Sequence, residues 1–179
     1  MKPQYAAHTP RDAKDPTGEW HDLIEHLEAV ADNASCFAGK FGAAPLARWA
    51  GLLHDAGKFS SAFQDYLWRA HIADRDGSAK PEKGTVDHSS TGAVIASALV
   101  KPTDEAHGLE LPWVIAGHHA GLVSKLSLQT RLHDKSADAV LIDGASKALQ
   151  WKRLKFLNTD PVPLPSFATS LEREFFVRM

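Results

Sequence analysis

Apolar residues recur at intervals of three and four along almost the whole chain, and strict alternation is rare. That period belongs to one face of an α-helix, not to the two-sided repeat of a strand, so an all-α helical bundle is expected. The spacing predicts helices over about 19–41, 44–56, 61–73, 88–101, 112–119 and 136–157, with a last one opening near Ser166. Ser61 with Gln64 three residues on reads as a capping box for the third helix. Residues 1–18, with Pro3, Pro10, Pro16 and Gly18, read as a loop-like arm. Residues 74–87 read as a charged loop and PVPLP at 161–165 as a rigid break.

Composition narrows the class. With 44% hydrophobic and 23% charged residues in 179, the chain is globular and of single-domain size. Its one cysteine, Cys36, excludes an internal disulfide, so nothing indicates an oxidising compartment. The polar N-terminus lacks the apolar core of a signal peptide, and no apolar run reaches the roughly 18 residues of a membrane span. A cytoplasmic protein with no membrane partner is the expectation. Twenty Lys and Arg stand against 22 Asp and Glu, for a net charge of −2, so any nucleic-acid contact must be local.

The ten histidines carry the functional signal through their positions. On a helical projection Leu23, Leu27, Val30, Ala34 and Phe37 form one stripe, with His26 at its edge. His21 falls opposite, with Glu25, Glu28 and Asp32, and reads as a solvent-facing decoy although His21-Asp22 repeats the dipeptide His54-Asp55. Alone, His26 reads as a core histidine bonded to a carbonyl. His54 extends the buried stripe Leu46, Ala50, Leu53. Asp55 then lies close to a helix C-terminus, where dipole and burial both disfavour a carboxylate. Lys58 could neutralise it in a salt bridge, or a metal ion could. His88 could merely cap a helix, and His118-His119 follow the apolar run LPWVIAG. His8, His71, His107 and His133 lie in polar or loop contexts and take no role. Together, five histidines and an aspartate from four helices, all on buried sides or ends, are not satisfied cheaply as separate core residues. Imidazole and carboxylate suit first-row transition metals, and six ligands suit two ions bridged by Asp55 better than one tetrahedral ion. Structural zinc is the rival, but the chain has none of the thiolate-rich patterns.

The order His26, His54-Asp55, His88, His118-His119 resembles the HD superfamily of metal-dependent phosphohydrolases. The segments YAAHTPRD, HDLIEHLEAVA after Trp20, GLLHDAGKFSSAFQDYL, VDHSSTGA and IAGHHAGL resemble one branch of it. That branch is the HD nuclease domain of the CRISPR-associated helicase-nuclease of type I systems. The likeness runs from about Tyr5 to Leu122, and the opening arm leans toward the type I-C-like form.

The resemblance implies a metal-dependent endonuclease and exonuclease that cleaves single-stranded DNA in CRISPR interference against foreign DNA. It implies one ion on His26, His54 and Asp55 and another on Asp55, His88, His118 and His119, as one or two transition ions (manganese, nickel, cobalt or iron). Ions roughly 3.5–4 Å apart activate water for attack on phosphorus in such sites. Asp55 and Lys58 would be the catalytic residues, Lys58 contacting a phosphate or the leaving oxygen unless its pairing with Asp55 prevails. The implied partners are the helicase portion of the parent protein and a surveillance complex with guide RNA. No glycine-rich phosphate loop is present, so ATP is not expected in this chain. WKRLKF (151–156) interleaves Trp151 and Phe156 with Lys152, Arg153 and Lys155, as a strand-tracking groove would. An amphipathic helix with a solvated basic face is the preferred reading of that segment. An HD phosphohydrolase of nucleotides or cyclic dinucleotides is the competing enzyme, and a non-catalytic module stapled by metal the competing class. The last HD ligand, a late aspartate, has no clear place among Asp134, Asp138, Asp143 and Asp160. Residues 1–179 are therefore expected to be one HD-type domain, the N-terminal part of a larger nuclease-helicase with its C-terminal helix cut short, and the His26 ion should be the weaker.

Overall fold

A computed structural model describes residues 2–15, 17–99, 110–119, 121 and 123–151. Among them are seven α-helices: α1 Leu23–Ala38, α2 Ala44–Leu53, α3 Ser61–Asp76, α4 Ser89–Leu99, α5 Glu110–Gly117, α6 Lys125–Lys135 and α7 Ala139–Gln150. Short 3-10 turns cover Gly39–Phe41 and Ala56–Phe59. The single sheet pairs β1, Ala6–His8, antiparallel with β2, His21–Asp22. The fold is all-α, as the three-and-four spacing requires. No described helix is long and apolar enough to cross a membrane.

One cluster of apolar side chains joins most of the helices. Leu23, Leu27 and Ala31 of α1 meet Leu46, Leu52 and Leu53 of α2, Ala93, Ile95 and Ala96 of α4, and Leu111 and Ile115 of α5. Each of the larger residues contributes about 1.5–3 kcal/mol by leaving water. Two glycines set how closely the helices approach. A Cβ on Gly92 would lie 1.8 Å from the Leu53 carbonyl oxygen, so α4 rests directly on the end of α2. A Cβ on Gly57 would lie 2.4 Å from the His88 carbonyl oxygen, and the Gly57 N–H donates to that oxygen at 3.2 Å.

Several expectations are corrected. α1 begins at Leu23, because the Asp22 carboxylate accepts from the N–H groups of Ile24 and Glu25 and makes Asp22 the N-cap. The chain before it is extended and pairs with β1, so the arm is not a free loop; Ala6 and Ala7 are buried. Ser60, not Ser61, caps α3 by accepting from the Phe63 N–H. Gln64 turns to the arm instead of completing a capping box: it bonds both the N–H and the C=O of Ala6 at 2.9 Å and donates to the Lys58 carbonyl at 2.7 Å. α2 stops at Leu53, leaving His54 and Asp55 in the turn beyond it. α6, which the spacing did not suggest, is capped by Ser124 and buries Leu128 and Leu132. The expected basic segment Lys152, Arg153, Lys155, the break at 161–165 and the helix from Ser166 lie outside the described residues.

Candidate metal centre

The centre forms where three helix ends meet the edge of α1. His54 and Asp55 follow α2, His88 precedes α4, His118 and His119 follow α5, and His26 projects from α1. The two turns at the helix ends orient their imidazoles through the backbone. His54 Nδ1 lies 2.7 Å from the Gly51 carbonyl oxygen and His118 Nδ1 lies 2.6 Å from that of Ile115. A carbonyl can only accept, so Nδ1 carries a hydrogen in both rings and Nε2 is the atom left to bind an ion or to donate to a carboxylate.

The Nε2 atoms gather around Asp55. Its Oδ2 lies 3.2 Å from His26 Nε2, 3.1 Å from His54 Nε2 and 2.8 Å from Lys58 Nζ. Its Oδ1 lies 3.6 Å from both His88 Nε2 and His118 Nε2, and His88 Nε2 lies 2.9 Å from His119 Nε2. Asp55 is 3% exposed, and Oδ1 is buried without a hydrogen-bond partner. A buried carboxylate oxygen left in that state calls for an explanation. Two ligands on one transition ion at about 2.1 Å stand about 3–3.5 Å apart, close to the Oδ1 distances. Donor atoms lie within 4.8 Å of one another in the set Asp55, His88, His118, His119 and again in the set His26, His54, Asp55. Imidazole with carboxylate is a first-row transition-metal donor set, so these residues fit divalent ions.

The electrostatics agree. Burial alone would raise the Asp55 carboxyl, but His118, His26 and His54 hold it well below the usual carboxylate range. Burial pushes His88 down to about 4, against the opposing pull of Asp55, and lowers His119 too. Both rings are therefore uncharged donors near neutral pH.

The surroundings hold this geometry from outside. Asp87 Oδ1 accepts from the N–H groups of Ser89 and Ser90 at 3.1 Å, so Asp87 caps α4 and frees His88 from that task. Arg131 of α6 donates to Ser90 Oγ at 3.0 Å, Ser89 Oγ at 2.8 Å and the Ala116 carbonyl at 3.2 Å. It thus ties the start of α4 to the end of α5. Sequence reasoning gave Arg131 no role. Lys58, 5% exposed, pairs with Asp55 and also donates to the Ala7 carbonyl at 3.2 Å. Trp151 packs against the core with its ring 6.3 Å from Phe59, not outward as a stacking surface. Asp138 caps α7, and Asp143 accepts from the Ser61 N–H and from Lys147. Neither these two nor Asp134 joins a donor set among the described residues, and Asp160 lies outside them.

His21 requires a correction. It lies on β2, so the helical projection that set it opposite His26 does not apply to it. Its side chain is exposed as expected, yet its ring is 5.1 Å from that of His26. His8, given no role, is 5.3 Å from the same ring.

A family model described as Cas3, HD domain matches residues 10–176. No curated protein matches the chain.

Proposed function

The chain belongs to the family of Cas3 HD domains, which are metal-dependent phosphohydrolases of CRISPR systems, and from that membership we propose that it cuts single-stranded DNA at the Asp55 centre. The observation that carries the proposal is the division of one buried carboxylate, with Oδ2 toward His26 and His54 and Oδ1 toward His88 and His118. His26, His54 and Asp55 would hold one divalent ion, and Asp55, His88, His118 and His119 the other. Such ions lower the pKa of water and balance charge on phosphoryl oxygens. The chain's own part is positioning. Gly51 and Ile115 carbonyls aim two imidazoles, burial keeps His88 uncharged, and Lys58 acts as a positioning residue by pairing with Asp55 Oδ2. In the reaction a water oxygen bonds to phosphorus, the bond to one ester oxygen breaks, and that oxygen leaves with a proton.

A strand is favoured over a mononucleotide by an aromatic pair at α3. Phe63 of α3 places its ring 4.9 Å from His88. Further along the same helix, exposed Trp68 stacks on Trp20 at 6.0 Å, with Lys2 Nζ 5.6 and 5.7 Å from the two rings. Exposed Trp68, backed by half-buried Trp20 and with a cation nearby, suits a stacked base and its backbone. On this reading a helicase feeds the strand, a guide-RNA surveillance complex selects it, and the chain is the nuclease portion of a larger cytoplasmic machine.

The test is circular single-stranded DNA with manganese or nickel. Nicking is expected, and chelator or Asp55→Ala should abolish it. Hydrolysis of nucleotides alone would favour the nucleotide phosphohydrolase. Untouched substrates, with a melting temperature raised by metal, would favour a module stapled by its ions.

A further inference from the structure

The Asp55 centre uses one edge of His26. Beside the same residue lie two histidines that the centre does not use. His8 comes from β1 and His21 from β2, where the sheet register sets them opposite one another. The rings of His8 and His21 stack at 5.6 Å, and each meets the ring of His26 at a steep angle, 89° for His8 and 79° for His21. One donor atom from each of the three lies within 4.8 Å of the others.

This grouping is built, not an accident of a loose terminus. Gln64 bonds both backbone groups of Ala6, two residues before His8, across 58 positions of sequence. The Leu23 N–H donates to the Tyr5 carbonyl at 3.0 Å, fastening the same strand to the start of α1. Ala6 and Ala7 are buried, so β1 is anchored on both sides of its pairing. Three imidazoles converging without a carboxylate among them repel one another once protonated. As neutral rings they are compatible donors for one ion.

We propose that His8, His21 and His26 form a third transition-metal site, beside the Asp55 centre, for an ion that prefers imidazole nitrogen, such as zinc or cobalt. It shares His26 with the set His26, His54, Asp55, and differs from both other groups in containing no carboxylate. An all-imidazole set favours zinc, cobalt, nickel or copper, whereas manganese and magnesium favour carboxylate oxygen. Three protein ligands, two of them on exposed residues, leave a coordination position open to water or to an anionic oxygen, as in sites that are not purely structural. The site stands independently of the nuclease reading.

Zinc binding measured without DNA tests it. Asp55→Ala removes the carboxylate shared by the other two groups and leaves His88, His118 and His119 as a constant background. Zinc bound per chain, counted by equilibrium dialysis, should then fall by one when His21→Ala is added, and likewise for His8→Ala. Circular dichroism checks that the variants fold. Should Asp55→Ala unfold the chain, 15N-histidine spectra of the unsubstituted protein take its place: saturating zinc should shift the ring nitrogens of His8 and His21. Unchanged stoichiometry in both double variants, or unmoved ring resonances, would overturn the site.

Discussion

Asp87 shows how much of the centre rests on residues that never touch it. Its carboxylate caps α4 one position after His88 and faces Arg131 and Lys135 at 3.9 and 3.6 Å. Burial would raise its pKa, yet the bonds from Ser90 and the two cations hold it down at about 2. A depressed carboxyl contributes stability that is present above the unfolded value of 3.8 and is lost as pH falls through the folded value. Asp87→Ala should therefore cost roughly 1–2 kcal/mol at pH 7 by urea unfolding, the usual value of an N-cap. The gap to the parent protein should shrink between pH 4 and 2. A gap unchanged at pH 2 would show that the carboxylate's charge contributes nothing.

At the scale of elements, the centre depends on how closely helix ends are allowed to meet. Gly92 lets α4 lie against the Leu53 carbonyl, and the next residue is His54. Gly92→Ala forces backbone away from backbone, so a loss of about 3 kcal/mol is expected, at the upper end of overpacking costs. For a chain of this size that lowers Tm by about 6–12 °C. Gly39→Ala is the internal contrast. Gly39 has a right-handed φ of −57°, and its added Cβ would come no nearer than 3.9 Å to another group. That change should leave stability level or raise it by up to about 1 kcal/mol through the unfolded state. Thermal melts of the two variants should move in different directions; equal losses would mean that helix propensity, not approach distance, governs both sites.

For the whole molecule, folding gathers a buried carboxylate and five imidazoles around Asp55, a costly arrangement that divalent ions relieve. Because the unfolded chain does not hold these donors together, ions bind the folded state. Manganese or nickel at 100 times its dissociation constant should add about 2.7 kcal/mol, raising Tm by about 5–10 °C. Chelator should reverse the shift in a scanning melt, and Asp55→Ala should remove most of it. A metal-independent Tm would contradict the fit of these residues to ions.

The bundle and the convergence of His26, His54, Asp55, His88, His118 and His119 were legible in the sequence because both follow from local rules. Helical period is set by neighbours three and four residues apart, and it decides which side chains share the buried face. Where local patterning ended, the reading failed in particular places. His21 was projected onto a helix that starts only at Leu23, since Asp22 spends its carboxylate on capping. His8 lies on a strand because Ala6–His8 pairs with His21–Asp22 and Gln64 anchors Ala6, and no local period relates those segments. Arg131 carried no signal, since its partners on α4 and α5 are brought together only by folding. Spacing along the chain determined which residues could be ligands. Long-range hydrogen bonds and the approach of backbone to glycine decided which of them share an ion, because those forces act between segments that no local period relates.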